Sequence, residues 1–181
     1  MPSRARIRLN ASLADVDELI EAHAALTGGR VGRPAERQGE ALTRADVVLL
    51  CAAMEVYFED IFEETARLVY DRANDEEIKR LFETTSRRLN HPSIDNVTVM
   101  FFSVGMNHPF NRVRWRNVPN TDFKRKYNVF VDTRGRVAHG RKPTVRLSVL
   151  KAWKIMVENT ATCFDRITTE HLEWMNRDQA R

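Results

Sequence analysis

The sequence predicts an all-α protein, a single bundle of five or six helices. Apolar residues recur at helical spacing through nearly the whole chain, and few segments alternate as a half-buried strand would. Helix-capping residues precede the apolar runs, and glycine or proline follows them. No internal repeat or linker divides the chain. We therefore expect one domain over residues 1–181, with an N-terminal helix and loop at 11–40 and a core bundle at 41–176.

Composition limits the class of protein. The 181 residues are 43% hydrophobic and 30% charged, the balance of a globular domain that buries a core. No apolar run reaches the roughly 18 to 20 residues of a membrane span, and the N-terminus lacks the apolar stretch of a secretory signal. Cys51 and Cys163 lie in apolar helical patterns, so we expect buried reduced thiols. A cytoplasmic protein without membrane contact is expected.

Two capping patterns predict the first helices. Ser12 with an acid three residues later predicts a helix over 12–26. Residues 27–40 are rich in glycine and predict a flexible loop. Thr43, also followed by an acid three residues later, predicts a long helix over 43–72. The remaining helices are predicted at 74–90, 93–104, 120–139 and 147–175.

An arginine stands on the apolar face of the helix predicted at 120–139. Arg134 follows Phe123 by eleven residues, so it lies only about 20° from Phe123 around the axis. A guanidinium buried there must meet an anion, a carboxylate or a water-filled cleft. Glu55 is the only charge in the run VVLLCAAMEVYF, residues 47–58. Two interpretations of Arg134 are therefore open: it forms an internal ion pair with Glu55, or it belongs to a site that binds an anion.

His139 ends the same helix, five residues after Arg134. That spacing turns the two side chains about 140° apart on a straight helix. The length of the arginine side chain, a helix loosened at Gly135 or a second chain across a two-fold axis would bring them together. A lone histidine at a helix end is otherwise a cap.

Positive charge is concentrated in residues 107–146. Eleven lysines and arginines stand there against two aspartates, a net charge of +9, whereas the whole chain carries +4. A basic segment on an otherwise acidic chain indicates a polyanion partner, and a solvated surface is the alternative. Trp115 lies in the first loop of this basic segment. Its side chain is expected either to stack on an unpaired base or to fill the core. The RNA-binding residues expected on this segment are Arg112, Arg114, Trp115, Arg116, Lys124, Arg136, Arg141 and Lys142.

No metal or other cofactor is expected. The other histidines are scattered over unrelated elements, at His23, His91, His108 and His171. No Ser/His/Asp signature is present either.

The stretch RGRVAHG, residues 134–140, resembles the R-x4-6-H signature of the HEPN superfamily. The resemblance extends to LTRADVVLLCAAMEVYFEDIFEE, to SIDNVTVMFFSVGMN and to a tryptophan-bearing loop before the motif. These patterns are similar to the RiboL-PSP-type HEPN branch and cover Ala41 to Trp174. Gly135 stands where family members usually carry a polar residue, often Asn.

The resemblance implies a metal-independent endoribonuclease that works as a dimer on single-stranded RNA. The motif arginine corresponds to Arg134 and the histidine to His139, and Glu55 is expected beside them as the group that holds Arg134. Relatives are often toxins or defence effectors, which implies an antitoxin or regulatory protein as a further partner. The alternative is a non-catalytic HEPN-like module that binds RNA, nucleotide or protein.

The residue types suit RNA cleavage through the 2′-hydroxyl. That reaction needs a base for the hydroxyl, an acid for the leaving 5′-oxygen and positive charge at the phosphorane. Histidine exchanges protons near neutral pH. Arginine stays charged and can hold two phosphate oxygens at once.

Overall fold

The computed structural model describes residues 3–28, 33–70, 91–115 and 118–178, together with Arg80 and Leu89. Within these residues the chain forms five α-helices, one 3-10 helix and no strand, which confirms the predicted all-helical fold. They are α1 (Arg4–Thr27), α2 (Arg33–Tyr70), α3 (Ile94–Phe102), the 3-10 helix (Pro109–Arg112), α4 (Asn120–Ala138) and α5 (Leu147–Asp178). No helix in this part of the chain is long and apolar enough to cross a membrane.

α1 begins before the predicted start at Ser12. Ser3 is the N-cap, and its hydroxyl accepts a hydrogen bond from the Arg6 N–H at 3.1 Å. Ala5 and Leu9 are buried and continue the apolar stripe upstream. The predicted cap at Ser12 is therefore wrong, because three arginines alternate with the apolar residues at the N-terminus and hide the helical period.

α2 also begins earlier than predicted. Because the helix starts at Arg33, the predicted loop over 27–40 is wrong for 33–40. Thr43 lies inside α2, and its hydroxyl donates to the Glu40 carbonyl at 3.1 Å. Thr43 is thus not an N-cap, and the predicted capping box is a local side-chain bond within a helix.

Gly39 lies in α2 as a packing residue. A Cβ at this position would stand 1.9 Å from Nε2 of His23 on α1, and both residues are buried. Only a residue without a Cβ lets α1 and α2 approach this closely. The glycine that predicted a loop is therefore a helix–helix contact.

Aromatic rings join the helices in the core. The Phe164 ring of α5 packs edge-on against Phe58 of α2 at 4.8 Å, Phe110 of the 3-10 helix at 5.1 Å and Phe101 of α3 at 5.5 Å, measured between ring centroids. Such edge-to-face contacts stabilise the core beyond area burial. The two thiols are buried and free, as predicted: Cys51 and Cys163.

The later helices agree with their local signals. Ser93 caps α3 by accepting from the Asn96 N–H at 3.2 Å. Gly140, with φ of 74°, follows the C-cap of α4, as the predicted stop required. The helix predicted at 74–90 lies outside the described residues, apart from Arg80 and Leu89.

Candidate active site

Arg134 lies on the face of α4 that packs into the bundle. Phe123, Tyr127 and Phe130 are buried on this face. Arg134 follows Tyr127 by seven residues, about two turns, so the two side chains leave the helix on the same side. The Arg134 side chain is 25% exposed. The guanidinium therefore stands at the edge of the core, open to solvent on one side.

Glu55 of α2 faces this guanidinium. Nη2 of Arg134 lies 3.9 Å from Oε2 of Glu55, which is long for a hydrogen bond. Nε of Arg134 is buried and has no hydrogen-bond partner among the described residues. Burial raises the pKa of Glu55, and the charge of Arg134 opposes the rise. The carboxylate thus faces the guanidinium without a hydrogen bond to it, and the exposed part of the guanidinium can meet an anion.

Cys51 stands one turn before Glu55. Burial raises the pKa of its thiol to about 12, although Arg134 acts in the opposite direction. The thiol therefore stays protonated at neutral pH, and a thiolate nucleophile is excluded at this position.

Glu59, one turn after Glu55, is more buried than the surrounding sequence suggests. The run of acids around it predicts a solvated face, yet Glu59 is half-buried. Burial, with the charges of Glu55, Asp60 and Glu63, raises its pKa to about 7. The spacing of these acids along α2 is visible in the sequence, but the burial of Glu59 depends on tertiary packing, which the sequence pattern could not reveal.

His139 is the C-cap of α4 and is exposed. Its backbone N–H donates to the Gly135 carbonyl at 3.1 Å. Its imidazole makes no hydrogen bond or ion pair with the described residues. Arg134 and His139 therefore do not converge within one chain: one faces α2, and the other points into solvent at the helix end.

His91 is the residue near Arg134 that sequence reasoning missed. It is half-buried in the segment before α3. Burial lowers the pKa of its imidazole, the charge of Arg134 lowers it further, and Asp132 partly opposes both. Its closeness to Arg134 arises from tertiary packing, and no spacing in the sequence indicates it.

The predicted RNA-binding residues fall at the two ends of α4. Asn120 ties the basic loop, residues 106–119, to the start of α4, because its side-chain amide donates to the carbonyls of Phe110 and Val113 at 2.8 and 2.9 Å. Arg134 lies about 21 Å further along the helix axis. Exposed cations near the motif end are Arg136, Arg141 and Lys142.

The cations near the N-terminal end of α4 differ in whether their side chains already have partners within the chain. Arg112 forms an ion pair with Glu170, and Lys124 donates to the Asn111 side chain. Arg114 is exposed. Arg116 lies outside the described residues.

Trp115 is partly buried and packs against the core, which is one of its two predicted roles, while base stacking stays a prediction. Its ring packs edge-on against Phe123 with centroids 5.1 Å apart. It also lines an open cavity of about 370 Å³, whose walls include Val149 and Ile155 and which Lys126 borders. The indole therefore supports the core with one side and borders a cavity with another.

No group of three or more potential metal ligands occurs among the residues that the structure describes.

Comparison with known proteins identifies the family. The family model described as RiboL-PSP-HEPN matches residues 11–170, and no curated protein and no solved structure matches the chain. Because the match spans most of the 181 residues and agrees with the helical fold, the chain belongs to the RiboL-PSP-HEPN family.

Proposed function

We propose that this protein is a metal-independent endoribonuclease that cleaves single-stranded RNA. The observation that carries the proposal is the Arg134 guanidinium, which is 25% exposed and makes no hydrogen bond to Glu55, on the helix that is capped by the exposed His139. An always-charged fork at the edge of the core suits a phosphate. An exposed imidazole at the end of the same helix suits proton transfer.

The proposed reaction uses the 2′-hydroxyl of the RNA as nucleophile. The 2′-oxygen forms a bond to phosphorus while the bond from phosphorus to the 5′-oxygen breaks. The hydroxyl proton passes to a base, and an acid protonates the leaving 5′-oxygen. The products are a 2′,3′-cyclic phosphate and a free 5′-hydroxyl. Arg134 neutralises the phosphorane charge, His139 transfers a proton, and Glu55 orients the guanidinium.

A homodimer completes the site in this proposal. Arg134 and His139 of one chain point in different directions, so a two-fold axis through the motif end of α4 would place Arg134 of one protomer opposite His139 of its partner. The exposed cations Arg136, Arg141 and Lys142 would then border the cleft and hold neighbouring phosphates.

The basic loop would supply a second contact for the same RNA strand. The strand would stack a base on Trp115, with Arg112, Arg114, Arg116 and Lys124 near the phosphates. Of those that the structure describes, Arg114 is the most readily available, because Arg112 and Lys124 are engaged within the chain. We extend the proposal, from the family resemblance alone, to a toxin or defence effector that an antitoxin or regulatory protein restrains.

A non-catalytic module that binds RNA, nucleotide or protein is the second candidate. The Arg134–Glu55 pair favours it, since a carboxylate facing the guanidinium is also what a purely structural arginine requires. Gly135 favours it too, because family members usually carry a polar residue there.

An RNase assay in EDTA distinguishes the two candidates. We expect the wild-type protein to cut single-stranded RNA, and Arg134→Ala and His139→Ala to lose at least 100-fold in rate while keeping the wild-type melting temperature. Arg177→Ala, which removes an exposed arginine at the end of α5, is the matched control. Wild-type protein that binds RNA without cutting it would establish the module.

A further inference from the structure

The backbone around His91 is fixed by three hydrogen bonds. The His91 carbonyl accepts from the Ser93 N–H at 2.8 Å and from the Asn96 side-chain amide at 3.0 Å. The carbonyl of the next residue, Pro92, accepts from the hydroxyl of Tyr127 at 2.6 Å. Tyr127 is fully buried in α4. These three hydrogen bonds position the backbone at His91.

These hydrogen bonds bring His91 to the side of α4 that carries Arg134. Tyr127 and Arg134 leave the helix in nearly the same direction, about 10 Å apart along the axis. The bond from Tyr127 to Pro92 therefore places His91 on the same face. Both Arg134 and Asp132 act electrostatically on its imidazole, which is half-buried.

The charges around His91 favour its neutral form. The charges of Arg134 and Asp132 on α4 both act on it, and Glu55 faces Arg134 from α2. Burial and the guanidinium charge lower the pKa of His91, and Asp132 offsets only part of the effect. A neutral imidazole has a free lone pair at neutral pH, which a general base requires and which His139 cannot supply if it acts as the acid.

We propose that His91 is the general base of the endoribonuclease, taking the proton from the 2′-hydroxyl of a phosphodiester that Arg134 of the same chain holds. This rests on the proposed function. As the 2′-oxygen bonds to phosphorus, its proton moves to His91, and His139 gives its own proton to the departing 5′-oxygen. The proton that His91 gains returns to solvent after the cyclic phosphate leaves, and His139 is reprotonated from solvent.

RNA with sulfur in place of the bridging 5′-oxygen separates the base from the acid. Thiolate is a good leaving group without protonation, so an enzyme that lacks its acid cuts this substrate well, whereas one that lacks its base does not. We expect His91→Gln to lower kcat about 100-fold or more on both substrates, with little change in KM. His139→Ala should be impaired on oxygen RNA and restored on sulfur RNA. His108→Asn is the control, since His108 is exposed and Asn readily adopts its φ of 48°.

The pH profile of the unmutated protein is a second measurement that does not depend on a variant's folding. The acidic limb of kcat/KM should lie below 6.5, the ordinary pKa of histidine. A limb above 6.5, or a folded His91→Gln that cuts either substrate at the wild-type rate, would overturn the role of His91 and leave the ribonuclease proposal standing. Wild-type protein inactive on both substrates would remove both proposals.

Discussion

Two carboxyl groups on α2 lie in very different surroundings. Glu55 faces a guanidinium at the edge of the core, whereas Asp46 is fully buried. Neither carboxylate oxygen of Asp46 has a hydrogen-bond partner among the described residues. Burial raises the pKa of Asp46 to about 7. The folded protein therefore disfavours the charged form of this residue at neutral pH.

Asp46→Asn should stabilise the protein above pH 7. Because its pKa is higher in the folded than in the unfolded chain, Asp46 contributes its full stability below about pH 4 and loses it as the pH rises to about 7. The neutral amide has no such loss, so we expect the free energy of unfolding to increase by about 1 to 3 kcal/mol at pH 8 and little at pH 4. Urea unfolding at both pH values measures the change.

Glu21→Gln, on the exposed side of α1, is the control for the charge change itself. Equal gains for Asp46→Asn at pH 4 and pH 8 would show that ionisation of Asp46 is not the cause.

At the scale of an element, two helical glycines have opposite reasons to be there. Gly39 of α2 is in contact with His23 of α1, and a Cβ would overlap the imidazole. Gly135 of α4 has nothing within 4 Å of a Cβ position. The first glycine is required by helix packing, whereas the second weakens its helix without a steric reason.

Alanine at these two positions should therefore change stability in opposite directions. We expect Gly39→Ala to lower the free energy of unfolding by about 1 to 3 kcal/mol, since the contact is overpacked. Gly135→Ala should raise it by about 0.5 to 1 kcal/mol, because alanine favours the helix. Combining Gly39→Ala with His23→Ala should recover part of the loss, and the coupling from denaturant unfolding reports the contact. Additive effects of the two substitutions would contradict it.

The elements that the sequence predicted correctly are those whose ends are decided locally. Ser93 and Gly140 mark helix ends through their own backbone and side-chain geometry, and the structure agrees. The starts of α1 and α2 were predicted wrongly. The arginines of α1 and Gly39 of α2 look unsuited to a buried helix in the sequence, and only their contacts with other helices explain why they occur there. Local signals cannot report contacts with residues that are distant in sequence.

The residues of the candidate site also differ in whether a local sequence signal indicates them. Helical period alone places Arg134 on the inner face, and Glu55 is notable as the one charge in an apolar run. His91 could not be found, because the bond that positions it joins Tyr127 to Pro92, residues 35 positions apart.

At the scale of the whole molecule, the proposed dimer makes a prediction about shared sites. If each site takes Arg134 from one protomer and His139 from its partner, mixing Arg134→Ala protein with His139→Ala protein should restore activity. About half of the dimers would be mixed, each with one complete site, which gives about a quarter of the wild-type rate after exchange. Each variant alone is the inactive control. Absence of recovery in a mixture with exchanged subunits, or a fully active monomer by light scattering, would contradict the shared cleft.

The central claim is that the protein cuts RNA through its own 2′-hydroxyl without a metal ion. The most direct test maps the ends of the RNA fragments that purified protein produces in EDTA. We predict 5′-hydroxyl ends and 2′,3′-cyclic phosphates, which resist phosphatase until the ring is opened with acid. Cleavage that leaves 3′-hydroxyl ends, or that stops in EDTA and returns with Mg²⁺, would contradict the claim.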